Sequence, residues 1–343
     1  MTSQPVFDGH NDALSRADHD GIPGGRSGGH LDLPRMREGG LRGGLFALHS
    51  MSRRAHKRPR RRRDGAFAFD LAPRVDHARA AAEATVQAGR LLALERAGEV
   101  RVGRLIGDVD AARDGGPPVA VLHLEGAEAI DPDLEALDTW YQAGLRSLGP
   151  VWSRPNAFGH GVQFAAPSSP DIGPGLTPAG KALVRRCAEL GVVVDLSHLN
   201  EAGFWDVARL ELGPLVASHS GAHALAASSR NVTDAQLDAV GASGGLVGIV
   251  FACPFLRADF ADDPDTPLEL IVAHARHVAE RIGVEHVALG SDFDGATIPA
   301  ALGDAAGLPK LLAAFAEGGF SGAEIDAIAW TNWRRALAAW WDQ

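Results

Sequence analysis

The sequence has few of the features that mark disulfide-rich or membrane-spanning proteins. Its two cysteines, Cys187 and Cys253, show no CxxC spacing, which argues against a disulfide framework or a cysteine metal site and fits a reducing compartment. No apolar run reaches the ~18 residues that a membrane helix needs. The N-terminus also lacks the basic-then-apolar layout of a signal peptide. We therefore expect a cytoplasmic protein without a membrane partner.

Positive charge is also scarce overall. The net charge of −10 and the pI near 5.8 argue against nucleic acid as the main partner. The exception is the segment 53–63, whose basic residues are Arg53, Arg54, His56, Lys57, Arg58 and Arg60 to Arg63. We interpret this segment as a solvated loop, and the alternative is a basic rim that attracts carboxylate-bearing or polyanionic ligands. The aromatic residues that single-strand binding uses are missing from it.

The rest of the chain alternates between apolar runs and helix-like stretches. With 343 residues and 45% hydrophobic residues, we expect one domain spanning 1–343. Short β-branched runs predict eight strands, and these are Val6 to Asp12, Leu41 to His49, Val119 to Gly126, Leu145 to Trp152, Val192 to His198, Pro214 to His219, Gly244 to Phe251 and His286 to Gly295.

Helical periodicity appears between several of these strands. The predicted helices are Ala72 to Ala97, Thr177 to Leu190, Pro267 to Ile282 and Gly322 to Trp341. Buried strands that alternate with amphipathic helices favour a parallel sheet, and eight of them favour a (β/α)8 TIM-like barrel. A doubly wound open sheet is the alternative.

Ionisable residues close several of the predicted strands. The first strand ends in His10-Asn11-Asp12, and residues two apart on a strand point to the same side, so His10 and Asp12 could hold one ion. The third strand ends in Glu125-Gly126, and the two oxygens of Glu125 could bridge two cations. His123 shares the side of Glu125 but lies one layer deeper, so we treat it as a supporting group.

Two later strands end alike, in Ser197-His198 and in Ser218-His219. Neutral imidazoles on adjacent strands of a barrel would lie together, and they are good zinc ligands. The last strand leads to Asp292, where a barrel enzyme would place its acid/base group. The following Asp294-Gly295 is typical of a turn.

These residues predict a centre with two Zn²⁺ ions, bridged by Glu125. His10 and Asp12 would complete one site, and His198 and His219 the other. Nitrogen and oxygen ligands without sulfur suit zinc, and manganese or cobalt could substitute. A carboxylated lysine is not the bridge, because none of the three lysines (Lys57, Lys181 and Lys310) closes a predicted strand.

Over nearly its whole length, the chain resembles the membrane dipeptidase (renal dipeptidase) family, peptidase family M19 of the amidohydrolase superfamily. The order and spacing of several motifs carry the resemblance. They are Asp8-Gly9-His10-Asn11-Asp12, Leu124-Glu125-Gly126, Gly175-Leu176-Thr177-Pro178, Asp195-Leu196-Ser197-His198, Ser218-His219-Ser220, Ser229-Arg230-Asn231-Val232 and Gly290-Ser291-Asp292-Phe293-Asp294-Gly295.

The resemblance implies a role for each of these side chains. It makes His10, Asp12, Glu125, His198 and His219 the zinc ligands, with Glu125 bridging and Asp292 handling protons. Arg230 would bind the C-terminal carboxylate of the substrate, since a guanidinium pairs bidentately with a carboxylate.

The chain departs from the family at one position. Many relatives carry a histidine that contacts the oxygen of the tetrahedral intermediate where Trp152 stands here, and Trp can donate one N–H but cannot become cationic. His160, in the following loop, could take its place in substrate binding. The departure puts the substrate range and the rate in doubt.

Together these features predict a zinc dipeptidase in which a metal-bridging hydroxide attacks the peptide carbonyl, with L-D dipeptides among its substrates. The nearest alternative is another amidohydrolase reaction at the same site, such as deacylation of N-acyl amino acids or opening of a lactam ring. A catalytically silent protein that binds polyanions through the basic segment is the alternative from a different class. The oligomeric state stays open, and a homodimer is one option.

Overall fold

The computed structural model describes residues 4–52, 60–61 and 67–341, and eight parallel strands form its centre. Their bounds are Val6–Asn11 (β1), Leu41–Leu48 (β2), Val119–Glu125 (β3), Leu145–Gly149 (β4), Val193–Val194 (β5), Val216–Ser220 (β6), Leu246–Val250 (β7) and Val287–Gly290 (β8). All of their residues except Arg42 are buried. Burial on both faces explains why the strands appear in the sequence as continuous apolar runs.

The eight strands close into a ring. Neighbours pair in parallel from β1 to β5 and from β6 to β8. Leu196 N donates to Val216 O (2.8 Å) and joins β5 to β6, while Asp12 N donates to Phe293 O (2.8 Å) and joins β1 to the segment after β8. The chain therefore has the predicted (β/α)8 barrel fold, and the open sheet is excluded.

Three strands end three or more residues earlier than the sequence predicted, each for a local reason. β4 ends before Pro150, which has no N–H to donate to the ladder. β5 continues after Val194 only as a single parallel bridge from Asp195 to Val216, and the chain then turns, with Leu199 N donating to Leu196 O (3.0 Å). After β8, Asp292 and Asp294 adopt left-handed φ values of 60° and 68°, which cannot continue a strand.

Twelve α-helices follow or connect the strands in the described residues. They are Leu33–Gly39 (α1), His77–Arg96 (α2), Ile106–Arg113 (α3), Glu135–Ala143 (α4), Pro178–Leu190 (α5), Glu201–Ala208 (α6), Asp234–Ala242 (α7), Cys253–Leu256 (α8), Glu269–Ile282 (α9), Leu308–Glu317 (α10), Gly322–Asp326 (α11) and Asn332–Trp341 (α12). None of these helices has the length and apolarity needed to cross a membrane.

The helices confirm the four predicted stretches, with adjusted ends. α5 begins as predicted, because Thr177 Oγ1 accepts the N–H of Gly180 (3.0 Å) and Pro178 occupies the first helical position. α2 begins five residues later than predicted, at the point where Asp76 caps it. A five-residue π-helical segment, Ala327–Thr331, interrupts the last predicted helix and separates α11 from α12.

Short strands outside the ring were not predicted. Arg101–Val102 adds in parallel to β3, and Arg60–Arg61, Phe67–Ala68 and Ala165–Ala166 form a small antiparallel sheet. The predicted basic loop at 53–63 lies outside the described residues except for Arg60 and Arg61. Arg60 there is exposed and pairs with Asp70 (3.1 Å).

Candidate metal centre

The carboxyl ends of the strands open onto a cavity of about 900 Å³. This is the end of a barrel at which enzymes of this architecture carry their chemistry. Residues at or just beyond the strand ends form the floor of the cavity, and they are Asp12, His49, Glu125, His198, His219 and Asp292. Loop residues form the walls.

The structure brings the five predicted metal ligands together around one carboxylate oxygen. Glu125 Oε1 lies 2.9 Å from His198 Nε2, 3.6 Å from His10 Nε2 and 3.7 Å from His219 Nε2. Asp12 Oδ2 lies 3.7 Å from His10 Nε2. All five side chains are buried or nearly so.

The nitrogen atoms of this cluster suit a cation. Ser218 Oγ donates to Asp195 Oδ2 (2.7 Å), so it accepts a hydrogen bond from the N–H of His219 Nδ1 (2.8 Å) and leaves His219 Nε2 unprotonated, with a lone pair for a cation. His10 Nδ1, His10 Nε2 and Asp12 Oδ1 are buried without a hydrogen-bond partner among the described residues. Buried polar atoms without partners are costly, and a bound divalent ion would satisfy them.

Two groups of ligand atoms are compact enough to hold an ion. One consists of His10, Glu125 and His219, and the other of His10, Asp12 and Asp292. The sequence had instead grouped His10 and Asp12 with Glu125, and Glu125 with His198 and His219. The structure thus places Asp292 close enough to be a ligand as well as the proposed proton carrier.

The protonation of the histidines follows from burial and from neighbouring charges. Burial and the positive charge of Arg230 lower the pKa of His198 to about 3, and burial also lowers the pKa of His219 well below its usual range. Both rings are therefore neutral, as metal binding requires. Burial disfavours the charged form of His10 too, but Glu125 and Asp12 outweigh it and raise its pKa to about 10. The site therefore favours positive charge at its centre.

Asp292 occupies a position suited to proton transfer. Burial, together with the negative charges of Asp12 and Glu125, raises its pKa to about 7, although His10 opposes the shift. A group with a pKa near neutrality can both accept and release a proton under working conditions. Gly295 packs directly against the Asp12 and Asp292 carboxylates. A Cβ at this position would overlap an oxygen of each.

Arg230 is buried behind the histidines and reaches the cavity. Its Nη1 donates to Ser197 O, and its Nη2 donates to His219 O (3.3 Å). Its Nε is buried without a hydrogen-bond partner in the part of the chain that the structure describes. Burial lowers its pKa to about 10, so the guanidinium stays charged at neutral pH.

Trp152 and His160, the two predicted substrate-binding residues, differ in their position relative to the cavity. Trp152 lines the cavity and stacks on His198 with ring centroids 5.6 Å apart. His160 does not belong to the described lining; its backbone pairs with Pro155 in the loop beyond β4. A substrate-binding role for His160 stays a prediction without a contact to support it.

His49 lies beside Glu125 in the cavity and was not among the site residues predicted from the sequence. His49 Nδ1 is 2.9 Å from Glu125 Oε2, the second oxygen of the carboxylate whose Oε1 lies near the other histidines. Hydrogen bonds with Gln87 hold the backbone of His49 at both its N–H (2.9 Å) and its carbonyl (2.8 Å). The available signal was its position, since it directly follows β2 as Glu125 closes β3.

A buried ion pair between Arg26 and Asp294 was also not predicted. Asp294, taken only as part of a turn, accepts from the Arg26 guanidinium and from His30 N (2.6 Å), and its side chain is fully buried. Arg16, His30 and Asp294 all line the cavity.

Comparison with known proteins identifies what this chain resembles. The model of the family described as membrane dipeptidase (peptidase family M19) matches residues 1–340. The crystal structure of a metallopeptidase, dipeptidase AC, is 45% identical with a TM-score of 0.93, and the match covers 100% of both chains. A metallopeptidase from Rhodobacter sphaeroides, solved with a phosphinate mimic of the dipeptide L-Ala-D-Ala, is also 45% identical, with a TM-score of 0.93 and coverage of 99% of this chain and 100% of that chain.

Among curated sequences, an uncharacterized protein from the pqqA 5′ region of Klebsiella pneumoniae is 46% identical over 247 residues. That match covers 72% of this chain and 91% of the relative.

Proposed function

Because this chain belongs to the membrane dipeptidase family, peptidase family M19, and is a metallodipeptidase, we propose that it binds two zinc ions and hydrolyses L-D as well as L-L dipeptides. The observation that carries the metal proposal is the convergence of His10, His198 and His219 on one oxygen of Glu125. The inclusion of L-D dipeptides is supported by the Rhodobacter relative, whose crystal structure is liganded with a phosphinate mimic of L-Ala-D-Ala.

The ligands fit zinc by their chemistry. Three imidazoles and two carboxylates, without sulfur, form a donor set that zinc accepts readily, and manganese or cobalt could replace it. His10, Asp12, Glu125, His198 and His219 would hold the ions. When bound, two such ions lower the pKa of a water molecule and polarise the peptide carbonyl.

The protein supplies the proton carrier. We assign Asp292 to accept a proton from the attacking water and to pass it to the nitrogen of the leaving amine. Its pKa near 7 supports this role, because the ionised form can take the proton and the neutral form can return it.

The protein also supplies substrate orientation. We assign Arg230 to bind the C-terminal carboxylate of the dipeptide, because its charged guanidinium reaches the cavity and its Nε has no partner among the described residues. A buried arginine that recognises a free carboxylate would restrict cleavage to short peptides.

Metal analysis combined with a substrate panel tests the proposal. The protein is purified without chelator, and its zinc content is measured by mass spectrometry. L-Ala-D-Ala, L-Ala-L-Ala and N-acetyl-alanine are then offered to the loaded protein. We expect two zinc ions per chain and cleavage of both dipeptides, with activity lost to a chelator and restored by zinc. Absence of bound metal, or cleavage of N-acetyl-alanine alone, would contradict the proposal.

A further inference from the structure

The two sides of the cavity differ in chemistry. One side, which we call the aromatic wall, consists of Trp152, Phe164 and Phe255, with Phe69 and Phe260 beside them. Other lining residues are polar, and we call them the polar side; they are Asp12, Ser15, Arg16, His30 and Asp294. A cavity that is apolar on one side and polar on the other orients an amphipathic ligand within it.

Phe164 lies at the centre of the aromatic wall. Its ring centroid is 5.7 Å from that of Trp152 and 5.8 Å from that of Phe255, distances typical of favourable aromatic pairs. It is also 6.2 Å from the His198 ring. The aromatic wall therefore begins beside a proposed metal ligand and runs outward from it. An apolar group attached close to the scissile bond would reach it.

The aromatic wall adjoins the residue assigned to the substrate carboxylate. The Arg230 guanidinium lies 5.5 Å from the Phe255 ring centroid. A dipeptide whose carboxylate meets Arg230 has its C-terminal α-carbon next to that carboxylate, one bond away. The side chain on that carbon can then project onto Phe255 and Phe164. The N-terminal residue, across the scissile bond, faces the polar side.

We infer, on the basis of the function proposed above, that the aromatic wall selects dipeptides whose C-terminal residue carries a large apolar side chain. The volume of about 900 Å³ leaves room for an aromatic side chain in addition to the dipeptide backbone. Apolar pockets discriminate between side chains by the surface that they remove from water. Differences of one or two methylene groups already change kcat/KM by about 10-fold or more.

The inference is tested directly by measuring kcat/KM of the zinc-loaded wild-type enzyme for a series of dipeptides. We compare kcat/KM for L-Ala-D-Ala, L-Ala-D-Leu, L-Ala-D-Phe and L-Phe-D-Ala, and we repeat the series with L residues at the C-terminal position. We expect kcat/KM to rise along the C-terminal series, by about 10-fold from Ala to Phe. L-Phe-D-Ala should gain nothing over L-Ala-D-Ala.

Variants connect the preference to the aromatic wall. Phe164→Ala should lower the ratio of kcat/KM between L-Ala-D-Phe and L-Ala-D-Ala, and Phe164→Leu should give an intermediate ratio while preserving most of the packing. Phe67→Ala is the matched control. The side chain of Phe67 is exposed, and its backbone pairs with Ala166 in the small antiparallel sheet. Removing that side chain should therefore leave the ratio of kcat/KM unchanged.

The outcomes separate this inference from the proposed function. If no dipeptide is cleaved, the proposed function fails. If all C-terminal residues are cleaved with equal kcat/KM, the dipeptidase assignment stands and the selection is refuted. A preference for L-Phe-D-Ala would place the large side chain on the N-terminal residue, and a Phe164→Ala enzyme with the wild-type ratio would remove the aromatic wall from the explanation.

Discussion

Replacement of Gly295 by alanine should damage the catalytic centre by steric overlap alone. A Cβ at this position would lie inside the normal contact distance of both Asp12 Oδ2 and Asp292 Oδ1. Carbon and oxygen atoms normally approach no closer than ~3.3 Å, so each carboxylate would have to move by about 1 Å. Backbone hydrogen bonds, Asp12 N to Phe293 O and Asp292 N to His10 O, hold the main chain of both residues, so each carboxylate can make room only by rotating about its side-chain torsions and leaving its present position.

The size of the effect follows from that displacement. A misplacement of about 1 Å in a catalytic constellation costs about 100-fold in rate, which corresponds to ~2.7 kcal/mol of activation free energy. Overpacking should also lower the free energy of unfolding, by ~1–3 kcal/mol. We therefore expect Gly295→Ala to fold, to lose about 100-fold in kcat for a dipeptide, and to bind metal more weakly.

The assay measures kcat, zinc content and the melting temperature in parallel. Gly107→Ala is the matched control, because no described atom lies within 4 Å of a Cβ there and Gly107 sits in α3, where alanine is a better helix former. The control should keep its activity and melt at the same temperature or slightly higher. A Gly295→Ala enzyme with wild-type kcat and a full zinc complement would show that the two carboxylates need not stay where the structure places them.

Three further predictions concern single side chains of the centre. Asp292→Asn should keep its zinc, as measured by mass spectrometry, yet lose about 10²–10⁴-fold in kcat, because an amide cannot accept the proton; retained turnover would remove Asp292 from proton transfer. In the metal-free protein, the pKa of His10 near 10 exceeds its unfolded value of about 6.5, so its protonation stabilises the fold fully below pH ~6.5 and the contribution is lost as the pH rises through ~10. The melting temperature of the metal-free protein should therefore fall over that interval, and His10→Gln should abolish this part of the slope. His49→Ala should weaken zinc binding by about 10–100-fold in a chelator competition, because it frees Glu125 Oε2, whereas unchanged affinity would reduce His49 to a packing role.

The strands were predictable because the barrel buries them on both faces. Val119–Glu125 shows the reason, since all seven residues are buried and the run stands out from its polar flanks. Strand ends were less predictable, because they depend on tertiary hydrogen bonds. Asp195 is an example, because its backbone bridges to Val216 while its carboxylate accepts the N–H of Ser218, and no local pattern reveals these partners.

The convergence of the proposed metal ligands was predictable for the same geometric reason. In a parallel barrel all carboxyl ends meet at one face, so ionisable residues at those ends converge wherever they lie in the chain. The walls of the cavity were not predictable in this way. Phe164 and Phe255 lie in or beside loop segments, where no periodicity signals which side chain turns inward, and Asp294 was recognisable as a turn residue but not as the partner of Arg26.

The order of the strands in the ring would have identified His49 as a site residue. β2 pairs with β1 on one side and with β3 on the other, and those neighbours carry His10 and Glu125 at or next to their carboxyl ends. A side chain that follows β2 and points into the barrel therefore lies between two residues already proposed as metal ligands. Each strand end should thus be judged by the ends of its two neighbours as well as by its own residues. By that criterion His49 qualifies as strongly as His198, whereas His160, beyond the end of β4 and paired with Pro155, does not.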